Sequence, residues 1–294
     1  MIPKLLNDKF LTRVIIDLVL LIIVAIPIPL VYTGVFTPFK RGYFCDDETI
    51  RYPYKESTVS DTALYLGGLS FGIFSIILCE ILPKFPRNSE IESELHLCDR
   101  KVPSVALSIY SSTHVFLFGV CIVEVLTNFI KYTLGRLRPN FIDVCQSDFN
   151  CSSLDDPYMY ITNYTCTNPE TYSVNDSRLS FPSGHSSIAG YVALFSIMYI
   201  HKYFFCVYTR LLKRILQFIL LLIATYTVVS RIEDNKHHWS DVIGGLTVGI
   251  IIAIAVFLMT PCNFRREEEV SRREKIEKEN EKFSINSVEL YGSI

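Results

Sequence analysis

No CxxC pair and no Cys/His spacing of a zinc site occurs in this chain, so nothing in the cysteine pattern calls for a metal. A charge excess is also missing. The 28 Lys and Arg and 30 Asp and Glu leave a net charge of −2, which gives no reason to invoke nucleic acid. There is no repeat of span pairs and no pair of interrupted hydrophobic segments, which argues against a transporter. The first apolar stretch lacks an obvious small-residue cleavage site and is too long for a signal-peptide core, so it reads as a retained anchor. What the chain does have is hydrophobic residues, 50% of its 294, gathered into long blocks.

Those blocks predict spans near 14–36, 62–83, 105–130, 186–206, 212–230 and 240–260, each close to the ~20 residues that cross a hydrocarbon core. The expected fold is all-α, an integral membrane bundle of six transmembrane helices. On this reading residues 14–262 form one domain, between a cytoplasmic N-terminus at 1–13 and a charged cytoplasmic tail at 263–294. Lys and Arg number 18 on the side of the termini and 10 on the other, so the positive-inside rule puts both termini in the cytoplasm. The tail from Arg265 to Lys282 mixes both signs and reads as a solvated helix or a disordered segment, with Arg265 and Arg266 near headgroups.

The 140–180 loop then faces outward or into a lumen. It carries sequons at Asn150, Asn163 and Asn175, all on the side that the charge count selects for glycosylation. Cys45, Cys145, Cys151 and Cys166 fall on the same oxidising side and allow two disulfides in any of three connectivities. Cys79, Cys98, Cys121, Cys206 and Cys262 fall in spans or cytoplasm and read as small apolar residues.

Three short stretches beside the apolar runs carry chemistry. Lys131 and Arg138 are seven residues apart, so a continuing third helix would project both from one face before Pro139 ends it. Arginine offers a planar fork to phosphate oxygens and lysine a mobile point charge. Pro182-Ser183-Gly184-His185 precedes the fourth run, which puts Ser183 and Gly184 at a helix start, where unpaired N–H groups suit an anion. His185 is there a candidate proton donor to a leaving alkoxide. Ser230-Arg231 is followed by His237 and, four residues on, by Asp241; one helical turn would let the carboxylate hold the imidazole of a nucleophilic histidine. The expected topology brings all three stretches to the outer face.

At these residues the chain resembles the type 2 phosphatidic acid phosphatase superfamily, whose signature runs KxxxxxxRP, PSGH and SRxxxxxHxxxD. The segment Lys236-His237-His238-Trp239-Ser240-Asp241-Val242 and the first outer loop, from Arg41 to Glu48 and from Tyr52 to Glu56, look like its lipid phosphate phosphatase branch. The resemblance implies that His237 attacks phosphorus, that Asp241 orients it and that His185 acts as general acid. It implies that Lys131, Arg138, Ser183, Gly184 and Arg231 hold the phosphate, without metal or other cofactor. The substrates it implies are phosphatidate, lysophosphatidate, sphingosine 1-phosphate and ceramide 1-phosphate at a membrane surface; oligomeric state is left open. A relative acting on sugar phosphates or polyprenyl pyrophosphates, and a catalytically silent membrane protein, are the competing readings. Glu80, His114, Glu124 and Asp17 are ionisable groups within spans, for which interhelical hydrogen bonding or snorkelling is the expectation; Glu124 would alternatively support Lys131 from the same helix face. His238 is expected to point away from the site.

Overall fold

The computed structural model describes residues 2–81, 96–97, 100–101, 103–151, 156, 158–204 and 210–260. The expected tail at 263–294 and Cys98, Cys206 and Cys262 lie outside them. The elements in chain order are α1 (Ile2–Ala25), α2 (Pro27–Tyr32), β1 (Tyr43–Phe44), α3 (Asp61–Ile81), β2 (His96–Leu97), β3 (Arg100–Lys101), α4 (Ser104–Leu134), α5 (Phe141–Cys145), β4 (Tyr160–Ile161), α6 (Thr171–Asp176), α7 (Gly184–Tyr203), α8 (Arg210–Glu233) and α9 (Trp239–Met259). The first apolar block breaks between α1 and α2, where Pro27 brings a fixed φ and no N–H donor.

Among the described residues, five stretches are helical, long and apolar enough to cross a membrane: Leu11–Val31, Asp61–Ile81, Val105–Leu134, Leu211–Glu233 and Trp239–Met259. The fourth expected span, 186–206, corresponds to α7, which is not among them. Its sequence is interrupted by Ser186, Ser187, Gly190 and Ser196, and it packs against α3, α4, α8 and α9. A helix enclosed by other helices needs no continuous lipid-facing surface, so its polar and small residues are tolerated.

α7 is the axis of the core. Phe195 lies 5.2 Å from Phe116 of α4, 6.0 Å from Tyr191 and 5.9 Å from Tyr199, centroid to centroid. Such aromatic pairs contribute about 0.5–1.5 kcal/mol each beyond the area they bury. Tyr191 donates its hydroxyl to the Phe116 carbonyl at 2.8 Å, and Tyr199 donates toward Glu80 and Ser112 at 2.9 Å. Glu124 accepts from Tyr65 of α3 and, at 2.8 Å, from Asn128, so interhelical bonding accounts for its burial, and among the described residues no hydrogen bond joins it to Lys131. His114 stacks on Tyr110, whose hydroxyl reaches Asp17 at 3.4 Å. On the other side of α7, a side chain at Gly245 or Gly249 of α9 would run into the carbonyls of Ser183 and Ser187. Those two glycines let α9 press its backbone onto the start of α7.

A small layer caps the end of the bundle where α4 stops and α7 begins. Tyr43 pairs with Ile161 and Phe44 with Tyr160 in antiparallel register between β1 and β4. Disulfides join Cys45 to Cys151 and Cys145 to Cys166, with Cα separations of 5.8 and 4.6 Å. Cys79 and Cys121 are free thiols, and Cys79 is buried among core side chains. The Arg178 guanidinium sits 5.0 Å over the Phe141 ring and 5.3 Å over Tyr164. Segments far apart in the chain are thereby held over the helix ends.

Candidate active site

α4 ends at Leu134 because Gly135 takes a left-handed backbone, φ 54°, and donates its N–H back to the Lys131 carbonyl at 3.0 Å. Lys131 therefore occupies the last turn of α4, while Arg138 lies beyond the helix, in the segment between α4 and α5. The expectation that one continuous helix face carries both, with Pro139 as the stop, is corrected by this glycine cap.

Arg138 is buried and pairs through Nη2 with Asp176 of α6 at 2.6 Å. Among the described residues its buried Nε has no hydrogen-bond partner. An orphan guanidinium N–H is costly unless a ligand or water completes it. Lys131 extends toward the start of α7: a Cβ built on Gly184 would stand 3.3 Å from its Nζ. Among the described residues its ammonium makes no hydrogen bond.

Ser183 caps α7. Its Oγ accepts from Ser186 N at 3.4 Å and from Ser186 Oγ at 3.0 Å, and its N–H donates to the Asp241 carbonyl at 3.0 Å. The first N–H groups of the helix beyond it carry the positive end of the dipole. His185, in the first turn, donates from Nε2 to the Val59 carbonyl at 3.0 Å, with Asp61 at 3.8 Å and Arg231 Nη1 at 3.5 Å. Arg231, at the end of α8, is almost fully buried; it binds Asp234 at 2.6 Å and Ser57 Oγ at 3.3 Å.

His237 precedes α9 rather than lying on it, because the helix starts at Trp239 with His238 as its cap. Its Nδ1 lies 2.7 Å from the Ser180 carbonyl and 3.9 Å from the nearer Asp241 oxygen. The expected direct hydrogen bond to Asp241 is thus replaced by one that Nδ1 donates to a backbone carbonyl, since the two residues do not share a helical turn. A carbonyl only accepts, so Nδ1 carries the proton and Nε2 keeps its lone pair. Burial, then the charges of Arg138 and Lys131, hold the His237 imidazole well below its ordinary pKa. It is neutral.

Asp241, fully buried at the third position of α9, accepts from Arg136 Nη1 at 2.5 Å, Ser180 Oγ at 2.5 Å, His238 N at 2.9 Å and His238 Nδ1 at 3.1 Å. His238 caps α9 and donates its backbone N–H to this carboxylate, a role that its sequence position beside His237 did not suggest. Ser180, Arg136, Asp176, Asp234 and the Ser57–Val59 strand of chain were also missed. For Arg136 the only available signal was its place two residues before Arg138. Lys236 lies with its ammonium 3.8 Å over the Tyr54 ring, and burial pushes its pKa down to about 8.

The arrangement concentrates cations, helix-start N–H groups and a neutral imidazole at one end of the bundle, a donor set suited to an anion. Among the described residues no three His, Cys, Asp or Glu side chains gather to hold a metal. The asparagines of the three sequons, Asn150, Asn163 and Asn175, are exposed in the layer beside this site.

The PAP2 superfamily model matches residues 113–265, which contain all three motif stretches. Over 267 residues the chain is 37% identical to "Phospholipid phosphatase 1" of Rattus norvegicus, covering 90% of each chain. It is 35% identical to "Phospholipid phosphatase 2" of Bos taurus over 244 residues, 82% of this chain and 79% of the relative. A "Putative phosphatidate phosphatase" of Drosophila melanogaster is 32% identical over 261 residues, 85% of this chain and 69% of the relative. No solved structure matches. A family model covering half of the sequence, and relatives aligned along most of their own length, mean that the chain belongs to the type 2 phosphatidic acid phosphatase (PAP2) superfamily.

Proposed function

We propose that this protein is an integral-membrane lipid phosphate phosphatase that cleaves phosphate monoesters of lipids through a phosphohistidine. The observation that carries the reading is His237: buried and neutral, with Nδ1 directed to the Ser180 carbonyl, so that the Nε2 lone pair is left for attack, in an imidazole whose pKa the charges of Arg138 and Lys131 help to depress. The names of the relatives, phospholipid and phosphatidate phosphatases, support a lipid substrate.

In this mechanism Nε2 of His237 attacks phosphorus while Lys131, Arg138, Arg231, the Ser183 hydroxyl and the Gly184 N–H hold the equatorial oxygens. The ester P–O bond breaks, and His185, as an imidazolium favoured by the bound phosphate, gives its Nε2 proton to the departing lipid oxygen. That oxygen takes the place of the Val59 carbonyl as the partner of Nε2. Neutral His185 then accepts a proton from water as the water oxygen attacks phosphorus, the P–N bond breaks and inorganic phosphate leaves. No cofactor is called on. Removing one of the phosphate donors costs about 3 kcal/mol in the barrier, as at other preorganised oxyanion sites.

The same reading places both termini in the cytoplasm and the site on the extracellular or lumenal side, with Asn150, Asn163 and Asn175 open to glycosylation. That sidedness requires α7 to cross with the other five helices, because an odd number of crossings would separate the termini. Phosphatidate, lysophosphatidate, sphingosine 1-phosphate and ceramide 1-phosphate are the proposed substrates.

Membranes containing the protein should release phosphate from lysophosphatidate with chelator present, and His237→Ala should abolish the release. Equal release by both forms rejects the catalytic assignment. Sealed right-side-out vesicles test the sidedness: turnover of added lipid without permeabilisation supports it, and turnover only after permeabilisation overturns it.

A further inference from the structure

We infer that Arg136, Ser180 and Asp241 form a closed tether that aims the His237 imidazole, with Ser180 as the residue that touches the ring and Asp241 acting through it. The inference deepens the phosphohistidine reading and rests on it.

Ser180 has three polar groups, and two are held by the other members of the tether. Its N–H donates to the Arg136 carbonyl at 2.9 Å, and its hydroxyl donates to Asp241 Oδ2 at 2.5 Å. The loop closes because the Arg136 side chain returns to Asp241 Oδ1 at 2.5 Å through Nη1, which also donates to Ser240 Oγ at 2.9 Å. With two groups fixed, the third, the Ser180 carbonyl, is left facing His237 Nδ1 at 2.7 Å. Ser180 and Asp241 are both at 0% exposure, so water does not compete for these bonds.

Asp241 is poorly placed to do this alone. Its nearer oxygen is 3.9 Å from Nδ1, beyond hydrogen-bond reach, and the Nδ1 proton is already directed to Ser180. Its carboxylate is occupied by Arg136, Ser180 and His238, and its backbone carbonyl takes the Ser183 N–H at 3.0 Å. Asp241 thus joins the segment under the nucleophile to the cap of the phosphate-binding helix. The tether keeps Nδ1 protonated before and after attack, so the ring neither flips nor rotates, while the buried carboxylate offsets the charge on the phosphorylated ring. Arg136 and Ser180 are positioning residues: neither needs to meet the phosphate.

The test uses the full-length protein in detergent micelles with lysophosphatidate, and each variant's melting temperature is measured beside its kinetics. Ser180→Ala should lower kcat by roughly 10- to 100-fold, the scale of a small misplacement of a reacting group, with KM little changed. Arg136→Met should act in the same direction. Arg136→Lys should recover most of the loss, because a single nitrogen makes both side-chain contacts. Ser180→Ala combined with Asp241→Asn should cost no more than the worse single variant, since both cut one tether. Wild-type kcat in Ser180→Ala, or losses that simply multiply in the double variant, overturns the inference. If Ser180→Ala fails to fold, the Arg136→Met and Arg136→Lys pair reads the tether from its exposed end, and equal kcat in those two overturns it. An active His237→Ala refutes the nucleophile itself; an inactive His237→Ala beside a fully active Ser180→Ala refutes only the tether.

Discussion

Asp234 binds Arg231 through a 2.6 Å ion pair across the last turn of α8, and the same carboxylate takes the N–H and hydroxyl of Thr58 at 2.8 and 2.7 Å. One buried acid therefore orients a proposed phosphate ligand and pins the chain that covers His185. The cover is also tied by Lys55 Nζ to the Glu233 carbonyl at 2.9 Å and by Asn235 to the Pro53 carbonyl at 3.0 Å.

Asp234→Ala should accordingly lower both stability and catalysis. Leaving Arg231 buried beside an empty partner costs about 3 kcal/mol, and loss of the Thr58 anchor should lower kcat/KM in the same variant. Thermal unfolding in detergent and steady-state kinetics check this. An unchanged melting temperature with unchanged kcat/KM would refute it.

The pH dependence follows from the depressed pKa of His237. A group whose protonated form is disfavoured stays neutral below the ordinary imidazole value of 6.5, so the nucleophile remains competent there. The acid limb of kcat/KM that belongs to the free enzyme, after correction for ionisation of the substrate phosphate, should fall below pH 6.5. Arg138→Met removes one of the charges that depress it and should move the limb upward. A limb that stays in place is the contrary result.

Gly184 leaves room for Lys131, whose Nζ would be 3.3 Å from an added Cβ. Gly184→Ala should push the ammonium aside while keeping the helix start, weakening lysophosphatidate turnover by roughly tenfold in kcat/KM, equivalent to about 1.4 kcal/mol. Lys131→Ala in the same background should then add less than it does alone. Independent effects would show that the two residues do not meet.

The cap is crosslinked across 106 residues by Cys45–Cys151 and across 21 by Cys145–Cys166. Non-reducing peptide mapping should recover these two pairs and no exchanged pair. On chain entropy the longer closure is worth about 1.4 kcal/mol more. Cys45→Ser with Cys151→Ser should therefore lower the melting temperature more than Cys145→Ser with Cys166→Ser; the reverse order would contradict that account.

Much of the machinery was legible because its pieces are local. Apolar blocks reveal helices without any tertiary information, and Ser183 before Gly184 reads as a cap because the cap bond spans only a few residues. Family membership was legible for the same reason: each motif is a short run of residue types. The helix boundary at Gly135 was the first local misreading, since the spacing of Lys131 and Arg138 suggested a helix that the left-handed glycine cuts off.

The partners of Asp241 were not legible at all. Arg136 is 105 residues from it and Ser180 is 61, and no periodicity relates positions that meet only after α4, α7 and α9 have packed. The sequence by itself determined which side chains were available to bind and attack a phosphate, and where along the chain its helices would form. Tertiary structure decided which carbonyl holds His237, which of three cysteine pairings occurs and how α7 is enclosed. Those outcomes depend on distances across the bundle, which contacts among all the helices set together.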